Sequence, residues 1–328
     1  MRQYEAANTN QTRSFNLAWK VLVGLLSLFV LLPLLGIWVA RLQPLALIEP
    51  PPVEWTRLGA LFMKTIALAG IVGISSCGLG TWFAWLDSRA RLPGRALLSM
   101  MVLAPLAIPS YVLAAILRES FAPRGILGEF FGRTEAFTGF WASACVLTLT
   151  CTPYAHLLVA SALSRSPAQE EKAARLLGAS TLDILRIIQW PRIKGPLMYA
   201  FLLITLYVVS DFGAVAVLDC DVLTWELYNQ RNGRAVFSIG FLLLLAVAPL
   251  IAGVRWLRAE EAKEFGVDYM RLSREELSPL SATVSYGLYA LVALFGAVLP
   301  ILVLAQWIAN GLQMDLEFAP IGPAIISS

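Results

Sequence analysis

The chain has 328 residues, of which 58% are hydrophobic and only 14% are charged. A soluble domain carries about a quarter charged residues, so this composition excludes an ordinary soluble enzyme or binding domain. The formal net charge is only +3 and the chain contains one histidine. The apolar residues lie in long uncharged runs, and a run of about 18 or more residues predicts a helix that crosses a bilayer.

Seven such runs follow one another along the chain. Backbone groups in lipid must be hydrogen-bonded within their own segment, so each run predicts a transmembrane helix and the fold is predicted to be an all-α polytopic membrane protein. The first run is too long for a cleavable signal peptide, and no small-residue cleavage site follows it. The runs cover residues 21–40, 58–85, 97–117, 140–163, 196–218, 236–254 and 284–309.

The positive charges predict the orientation of these spans. Most of the 25 Lys and Arg residues lie before the first run or in every second connection between runs. The positive-inside rule therefore places the N-terminus in the cytoplasm and the C-terminus outside, in the inner (plasma) membrane of a bacterium. These charges lie beside anionic membrane lipid, and no nucleic-acid partner is predicted.

Two short helices are predicted in the cytoplasmic loop 164–195. A capping box begins at Ser166 and has proline at the first helical position. Gly178 follows the first helix at a position where a left-handed residue is favoured. Ser180 can cap a second helix, which is predicted to stop at Pro191.

This loop resembles the signature of ABC-importer permeases. The family has Glu-Ala-Ala, three residues, Gly, nine residues, Ile, one residue and Leu-Pro. The sequence departs from it at Lys172, which stands at the usual Glu position after Glu171, and at Trp190, which replaces Leu. The resemblance implies that the loop couples the chain to a cytoplasmic ATPase through Glu171, Ala173, Ala174, Gly178, Ile188 and Pro191.

The pattern also has a physical rationale. Small alanine side chains allow a helix to approach a partner closely, and glycine permits a sharp turn between two helices. Such a joint can pass the closing motion of an ATPase to the spans as a rigid-body movement. The alternative interpretation is an amphipathic helix that lies at the membrane interface.

Several further stretches occur in one shared order. Together they resemble the ferric-iron-type permeases, whose relatives carry thiamine and other small solutes, and the resemblance covers about residues 58–254. It implies a permease subunit that takes ferric iron from an external binding protein, with thiamine or another small solute as the alternative. The stretches are residues 92–95, 105–112, 153–154 and 211–213, with Asp221, Thr224 and Tyr228 beyond.

Part of this region is predicted to line the translocation path. Pro105 and Pro109 interrupt helical hydrogen bonding inside the third run, which is tolerated where the backbone lines a cavity. Asp211 is the acidic residue that lies well inside a run, and intramembrane charge indicates function; the alternative is a helix cap or an interface residue. The predicted path residues are Pro109, Tyr111, Asp211, Phe212 and Gly213.

No metal site, cofactor or catalytic residue is predicted. His156 has no neighbouring Cys, Asp or Glu in its span, so packing or a polar contact is favoured over metal binding. The sequence has no Walker-type phosphate loop, so ATP hydrolysis is assigned to a partner and the chain is not an enzyme. A membrane enzyme and a secondary transporter are the rival classes, but the former needs a catalytic cluster and the latter needs coupling-ion sites.

The predicted organisation has four parts. Residues 1–20 form a cytoplasmic N-terminus, 21–254 a six-span permease domain, 255–283 a cytoplasmic linker, and 284–328 a seventh span with an outside tail. Ferric-iron permeases commonly fuse two six-span halves, so the last part resembles the start of a second half. A natural end, a truncation and a sequencing artefact remain open. The implied partners are an ATPase dimer, an external solute-binding protein and a second permease half.

Overall fold

The computed structural model describes residues 54–123, 125–132, 136–164, 168–229, 233–261 and 278–313. The first predicted span and the start of the predicted docking loop at 165–167 lie outside these residues. The regular structure of the described residues is helical. The helices are α1 (Trp55–Arg89), α2 (Arg95–Leu103, extended by a 3-10 turn at Ala104–Ala107), α3 (Ser110–Ser120), α4 (Ile126–Phe131), α5 (Gly139–Ser164), α6 (Ala168–Leu176), α7 (Thr181–Ser210), α8 (Gly213–Val217), α9 (Leu223–Asn229), α10 (Gly233–Glu261) and α11 (Pro279–Ala293, Leu294–Val298 and Leu299–Gln313).

Four helices in the described residues are long and apolar enough to cross a membrane, namely α1, α5, α7 and α11. The bent pair α2–α3 supplies a fifth span if it is counted as one. Helix α10 has a shorter apolar part at Ser238–Gly253. The chain is therefore a multi-spanning helical membrane protein, while the arrangement of six spans plus one stays a prediction.

The third predicted span is broken, as its prolines suggested. Helix α2 ends in the 3-10 turn, and α3 begins at Ser110 after a bend of 100°. Pro109 has φ −55° and ψ 142°, so it leaves the helical region at the bend. Proline has no N–H to donate, which explains why the helical ladder stops here. The run predicted at 97–117 therefore forms two helices that meet at this bend, and its assignment as one span stays a prediction.

The prediction that the second loop helix stops at Pro191 was also wrong. Helix α7 starts at Thr181 and continues to Ser210 without a break. A π-helical turn at Leu185–Gln189 precedes the proline. A proline ring clashes with the carbonyl four residues earlier in an α-helix, and the wider π turn relieves that clash. The second helix of the loop and the fifth predicted span therefore form one continuous helix.

Helices α1 and α5 form the most extensive helix pair, and α7 packs against both. Small residues make this possible. A Cβ atom added to Gly80 would lie 2.5 Å from Ala155 Cβ and 2.7 Å from the His156 backbone nitrogen. A Cβ atom at Gly73 would lie 2.7 Å from the Phe201 ring. Gly73 of α1 therefore lies directly against α7.

We expect Gly80→Val to destabilise the protein strongly. The new side chain would push α5 backbone away from α1, and overpacking of a core typically costs about 1–3 kcal/mol. Gly78→Ala is the matched control on the same helix, because nothing lies within 4 Å of a Cβ atom there. Thermal unfolding in detergent should show a lower midpoint for Gly80→Val and an unchanged or higher one for Gly78→Ala. Equal midpoints would contradict this packing.

Helix α11 packs against the other helices along its length. The Tyr289 hydroxyl donates a hydrogen bond to Asp87 Oδ1 at 2.9 Å, and its ring lies 4.6 Å from the Phe83 ring. Further along α11, a Cβ atom at Gly296 would lie 2.6 Å from the Pro105 ring. The seventh predicted span is therefore joined to α1 and α2.

Asp87 joins four helices at this end of the bundle. Ser99 of α2 donates a hydrogen bond to Asp87 Oδ2 at 2.7 Å, and His156 Nε2 of α5 lies 3.3 Å from the same oxygen. His156 is buried. The polar contact expected for His156 is confirmed. No cluster of three or more potential metal ligands occurs within the ranges that the structure describes.

The boundaries of the predicted linker also change. Helix α10 extends to Glu261, and α11 begins at Pro279 after Ser278, whose hydroxyl accepts a hydrogen bond from the Ser281 N–H. The linker predicted at 255–283 is therefore helical at both of its ends. Helix α11 also continues to Gln313, beyond the predicted end of the span at 309. These shifts are small, since a hydropathy run marks the apolar part of a helix rather than its ends.

Candidate functional site

Two groups of residues predicted to be functional lie at opposite ends of the bundle. At one end are the last turn of α1, the last turn of α5, helix α6 and the first turns of α7. At the other end are the first turn of α1, the last turn of α7, helix α8 and helix α9. Helix α7 connects the two ends over 30 residues, which corresponds to about 45 Å at 1.5 Å per residue.

Helix α6 ends in a Schellman motif at Gly178. The Ala179 N–H donates to the Ala174 carbonyl at 3.0 Å, and the Gly178 N–H donates to the Arg175 carbonyl at 2.9 Å. Gly178 has φ +84°, a left-handed conformation that glycine adopts without a Cβ penalty. The left-handed turn predicted at this position is confirmed.

A capping box starts the next helix two residues later. The Asp183 N–H donates to Ser180 Oγ at 3.3 Å, and the Ser180 N–H donates to Asp183 Oδ2 at 3.0 Å. The first bond satisfies a backbone N–H in the first turn of the helix, and the second satisfies the backbone N–H of the capping residue. The turn between α6 and α7 is thus defined on both sides, which fixes the angle between the two helices.

The tip of this loop exposes apolar side chains. Leu176 and Leu177 are each 89% exposed, and Ile187 is 72% exposed. Ala173 is exposed and Ala174 is partly exposed, so their small side chains do not serve packing within the described chain. Exposed apolar surface with small residues at its centre is typical of a protein interface. We define the exposed side chains within residues 173–187 as the docking surface.

Glu171 does not belong to the docking surface. Its side chain is 2% exposed, and its Oε1 lies 2.6 Å from Nη2 of Arg89, the last residue of α1. Lys172 is exposed instead. Ile188 is half-buried and Pro191 is exposed on α7. The six predicted coupling residues therefore divide into an outward-facing set and one buried acid.

The opposite end centres on Asp211. Ser110, the first residue of α3, donates a hydrogen bond from Oγ to Asp211 Oδ2 at 2.5 Å. The Ala214 N–H at the start of α8 donates to Asp211 Oδ1 at 2.9 Å. The half-buried Asp211 carboxylate thus caps α8 and binds α3 to the end of α7. The helix-cap alternative describes one of its contacts.

An aromatic cluster begins at Phe212, the residue that follows Asp211. The Phe212 ring lies 4.6 Å from the Tyr228 ring and 6.1 Å from the Trp225 ring. A Cβ atom at Gly213 would lie 2.8 Å from Tyr111 Cβ, so glycine is required for α8 to lie this close to α3. Tyr111 is 52% exposed and Tyr228 is 70% exposed. The cluster therefore offers open aromatic surface beside an acidic group.

The structure brings the five predicted path residues together where the bend between α2 and α3 meets the end of α7 and the start of α8. Pro109 and Tyr111 flank Ser110 on one side, and Asp211 to Gly213 form the other side. Broken helices that meet in this way are typical of solute sites in membrane transporters. We define this group, with Trp225 and Tyr228, as the aperture site.

Two contributors to these sites were not predicted. Ser110 follows the helix-breaking Pro109, and its position as the first residue of a new helix is the signal that could have identified it. Arg89 joins Glu171 across 82 positions of sequence. No local sequence pattern predicts a contact over this distance. The charge distribution predicted only that Arg89 lies on the cytoplasmic side of the membrane.

The fold and these two sites define a class of protein, a multi-spanning helical membrane protein with an exposed helical loop at one end and a bent helix pair at the other. Residues 76–259 match the family described as binding-protein-dependent transport system inner membrane component. This match covers more than half of the chain. The chain belongs to this family.

Relatives within the family differ in the solutes that their names state. The chain is 24% identical over 267 residues to the Fe(3+)-transport system permease protein FbpB 2 of Haemophilus influenzae, covering 79% of this chain and 50% of that protein. It is 29% identical over 226 residues to the sulfate transport system permease protein CysW of Escherichia coli, covering 68% of this chain and 76% of that protein. It is 29% identical over 174 residues to the molybdenum transport system permease protein ModB of Escherichia coli, covering 52% and 73%. The chain thus spans about half the length of FbpB 2.

The fold also resembles that of a solved transporter. A chain in the inward-facing MetNI methionine ABC transporter superimposes with a TM-score of 0.50 and 22% identity, covering 64% of this chain and 99% of that chain. At this level of identity the comparison shows the fold alone. It supports the helical arrangement described above.

Proposed function

We propose that this chain is a permease subunit of an ATP-driven importer in a bacterial inner membrane. The observation that carries the proposal is the docking loop, whose Schellman turn and capping box hold an exposed apolar tip at the end of a transmembrane rod. This element matches the spacing of the importer signature within a chain of that family. The distribution of Lys and Arg favours a cytoplasmic N-terminus, and in that orientation α6 lies in the cytoplasm and the aperture site outside.

The partners follow from this arrangement. A cytoplasmic ATPase dimer hydrolyses ATP and offers two clefts, while the sequence contains one docking loop with the importer spacing. A second permease half with its own docking loop occupies the other cleft. An external binding protein delivers solute to the aperture site. The chain itself carries the solute path and not the hydrolysis.

The solute that we favour is ferric iron. FbpB 2 aligns with the largest share of this chain among the three relatives above. The Asp211 carboxylate at the aperture site attracts a cation and repels an oxyanion. The second candidate is an oxyanion such as sulfate or molybdate, since CysW and ModB are more similar per aligned residue. Thiamine is a third solute of the same importer class, suggested by the resemblance of the sequence alone.

Uptake into proteoliposomes distinguishes these solutes. The chain is reconstituted with the ATPase, binding protein and second permease half encoded beside it, and radioactive iron, sulfate, molybdate and thiamine are offered in parallel. We expect ATP-dependent accumulation of iron, and no competition by excess sulfate or molybdate. Accumulation of an oxyanion or thiamine instead of iron would overturn the iron assignment. An absence of any ATP-dependent uptake would overturn the importer assignment.

A further inference from the structure

A buried ion pair lies where the docking loop meets the membrane helices. Arg89 is the last residue of α1, and Glu171 lies on α6. The two side chains are each 2% exposed, and Arg89 Nη2 lies 2.6 Å from Glu171 Oε1. The resemblance of the loop to the importer signature implied that Glu171 contacts the ATPase. Its burial means that it acts within this chain.

Two more helices converge on the same pair. Arg89 Nη2 also lies 3.5 Å from the Leu163 carbonyl near the end of α5. Gln189 Nε2, in the π turn of α7, donates to Glu171 Oε1 at 3.4 Å. The pair therefore connects α6 to α1 directly, and to α5 and α7 through these weaker contacts.

Stability alone does not explain a pair of this kind. Removing two charges from water is costly, and replacing a buried ion pair by apolar side chains of similar size is often neutral or stabilising. A direct charge pair does fix the distance and direction between two elements, because moving either partner leaves a buried charge without compensation. The pair at Arg89 is thus suited to holding α6 in one position relative to α1.

Helix α1 is also suited to carry a movement away from this joint. It spans 35 residues and contains no proline, whereas α5, α7 and α10 each contain an internal proline. Proline is a common cause of helix kinks. At its other end, Leu58 and Leu61 lie in one buried apolar cluster with Leu223 of α9, the helix that carries the aperture residue Trp225. The exposed Arg57 adds a 2.8 Å ion pair with Glu226 of the same helix. A displacement of α6 can therefore reach the aperture site through α1 as well as through α7.

We propose that Arg89 is a positioning residue that fastens the docking helix α6 to α1 through Glu171, so that ATPase-driven movement of α6 displaces α1 together with α7. The proposal rests on the proposed importer function and goes beyond it. Docking requires the exposed surface at 173–187. Transmission requires the buried pair. The two requirements are separable, because neither Arg89 nor Glu171 contributes exposed surface for a partner.

The test uses the full complex of this chain, its second half, the ATPase and the binding protein in nanodiscs. The readout is the stimulation of ATP hydrolysis by solute-loaded binding protein relative to basal hydrolysis. In Arg89→Met/Glu171→Leu we expect the ATPase to copurify at the wild-type ratio and basal hydrolysis to persist. Stimulation should fall about fivefold or more, the range of typical coupling between sites. A merely structural role would not lower the ratio of stimulated to basal hydrolysis.

The matched control is Arg192→Gln. Arg192 of α7 also pairs with an acid on α6, since its Nη2 lies 2.9 Å from Glu170 Oε2, but the Arg192 and Glu170 side chains are 36% and 55% exposed. Exposed ion pairs contribute little, so stimulation should stay at the wild-type value. A similar loss of stimulation in Arg192→Gln would show that this exposed contact matters as much as the buried pair. That result would overturn the special role of Arg89.

Arg89→Lys decides the question if the double variant does not assemble. Lysine keeps the charge but lacks the planar fork of the guanidinium group, so we expect assembly with at least about a twofold loss of stimulation. Wild-type stimulation in Arg89→Lys, or in an assembled double variant, would overturn the proposal. If the ATPase does not bind the wild-type chain at all, the proposed function fails instead.

Discussion

Gly178→Leu is expected to lower ATP-driven uptake by about tenfold while the chain still inserts into the membrane. Gly178 has φ +84°, and a left-handed conformation costs a residue with a side chain about 1–2 kcal/mol. A Cβ atom there would meet nothing within 4 Å, so the strain lies in the backbone and not in packing. Relief of that strain changes the angle between α6 and α7, which misaligns the docking surface.

Gly178→Asn is the control for this variant. Asparagine adopts positive φ more readily than other residues with a side chain, so it should preserve the turn and most of the uptake. Membrane levels of both variants are measured by immunoblot, and uptake and ATP hydrolysis are measured in the same vesicles. Wild-type uptake by Gly178→Leu at equal membrane level would count against the docking function of this loop.

Asp211→Ala is expected to reduce uptake more than tenfold. The alanine removes the acceptor for both Ser110 Oγ and the Ala214 N–H. Loss of a helix cap costs about 1 kcal/mol, and a hydrogen bond to a charged group contributes about 1.5–3 kcal/mol. Helices α3 and α8 then lose their common attachment point at the aperture site. Uptake is measured in vesicles with matched amounts of protein.

Asp211→Asn separates the structural role of this residue from its charge. Asparagine caps a helix about as well as aspartate: its one side-chain oxygen can accept from the Ala214 N–H, and its Nδ2 can donate to Ser110 Oγ in place of the bond that Asp211 accepts. If the solute is a cation, the Asn variant should also lose uptake, because the attracting charge is gone. Retained uptake by the Asn variant would favour an oxyanion solute. Retained uptake by the Ala variant would remove Asp211 from the aperture site.

Much of the fold could be predicted because its signals are local. A hydropathy run identifies a span by itself, and Pro109 marks the break between α2 and α3. Gly178 and Ser180 define the turn after α6 through contacts that reach at most five residues. These features depend on neighbouring residues, so sequence patterns report them directly.

The remaining features depend on tertiary contacts. Pro191 was interpreted as a helix stop because a π turn that accommodates proline leaves no clear signal in the sequence. The inward orientation of Glu171 depends on Arg89, 82 positions away, and the attachment of α11 depends on Tyr289 and Asp87, 202 positions apart. Such pairings are set by the packing of whole helices. A single sequence does not report them.

An omission series in proteoliposomes tests most directly whether this chain is one half of an ATP-driven permease. The complete set contains this chain, the second permease half, the ATPase and the solute-loaded binding protein. We predict ATP-dependent uptake with the complete set and none when any one component is left out. Uptake by this chain alone without ATP would instead indicate a secondary transporter, and ATP-dependent uptake without a second half would contradict the two-half arrangement.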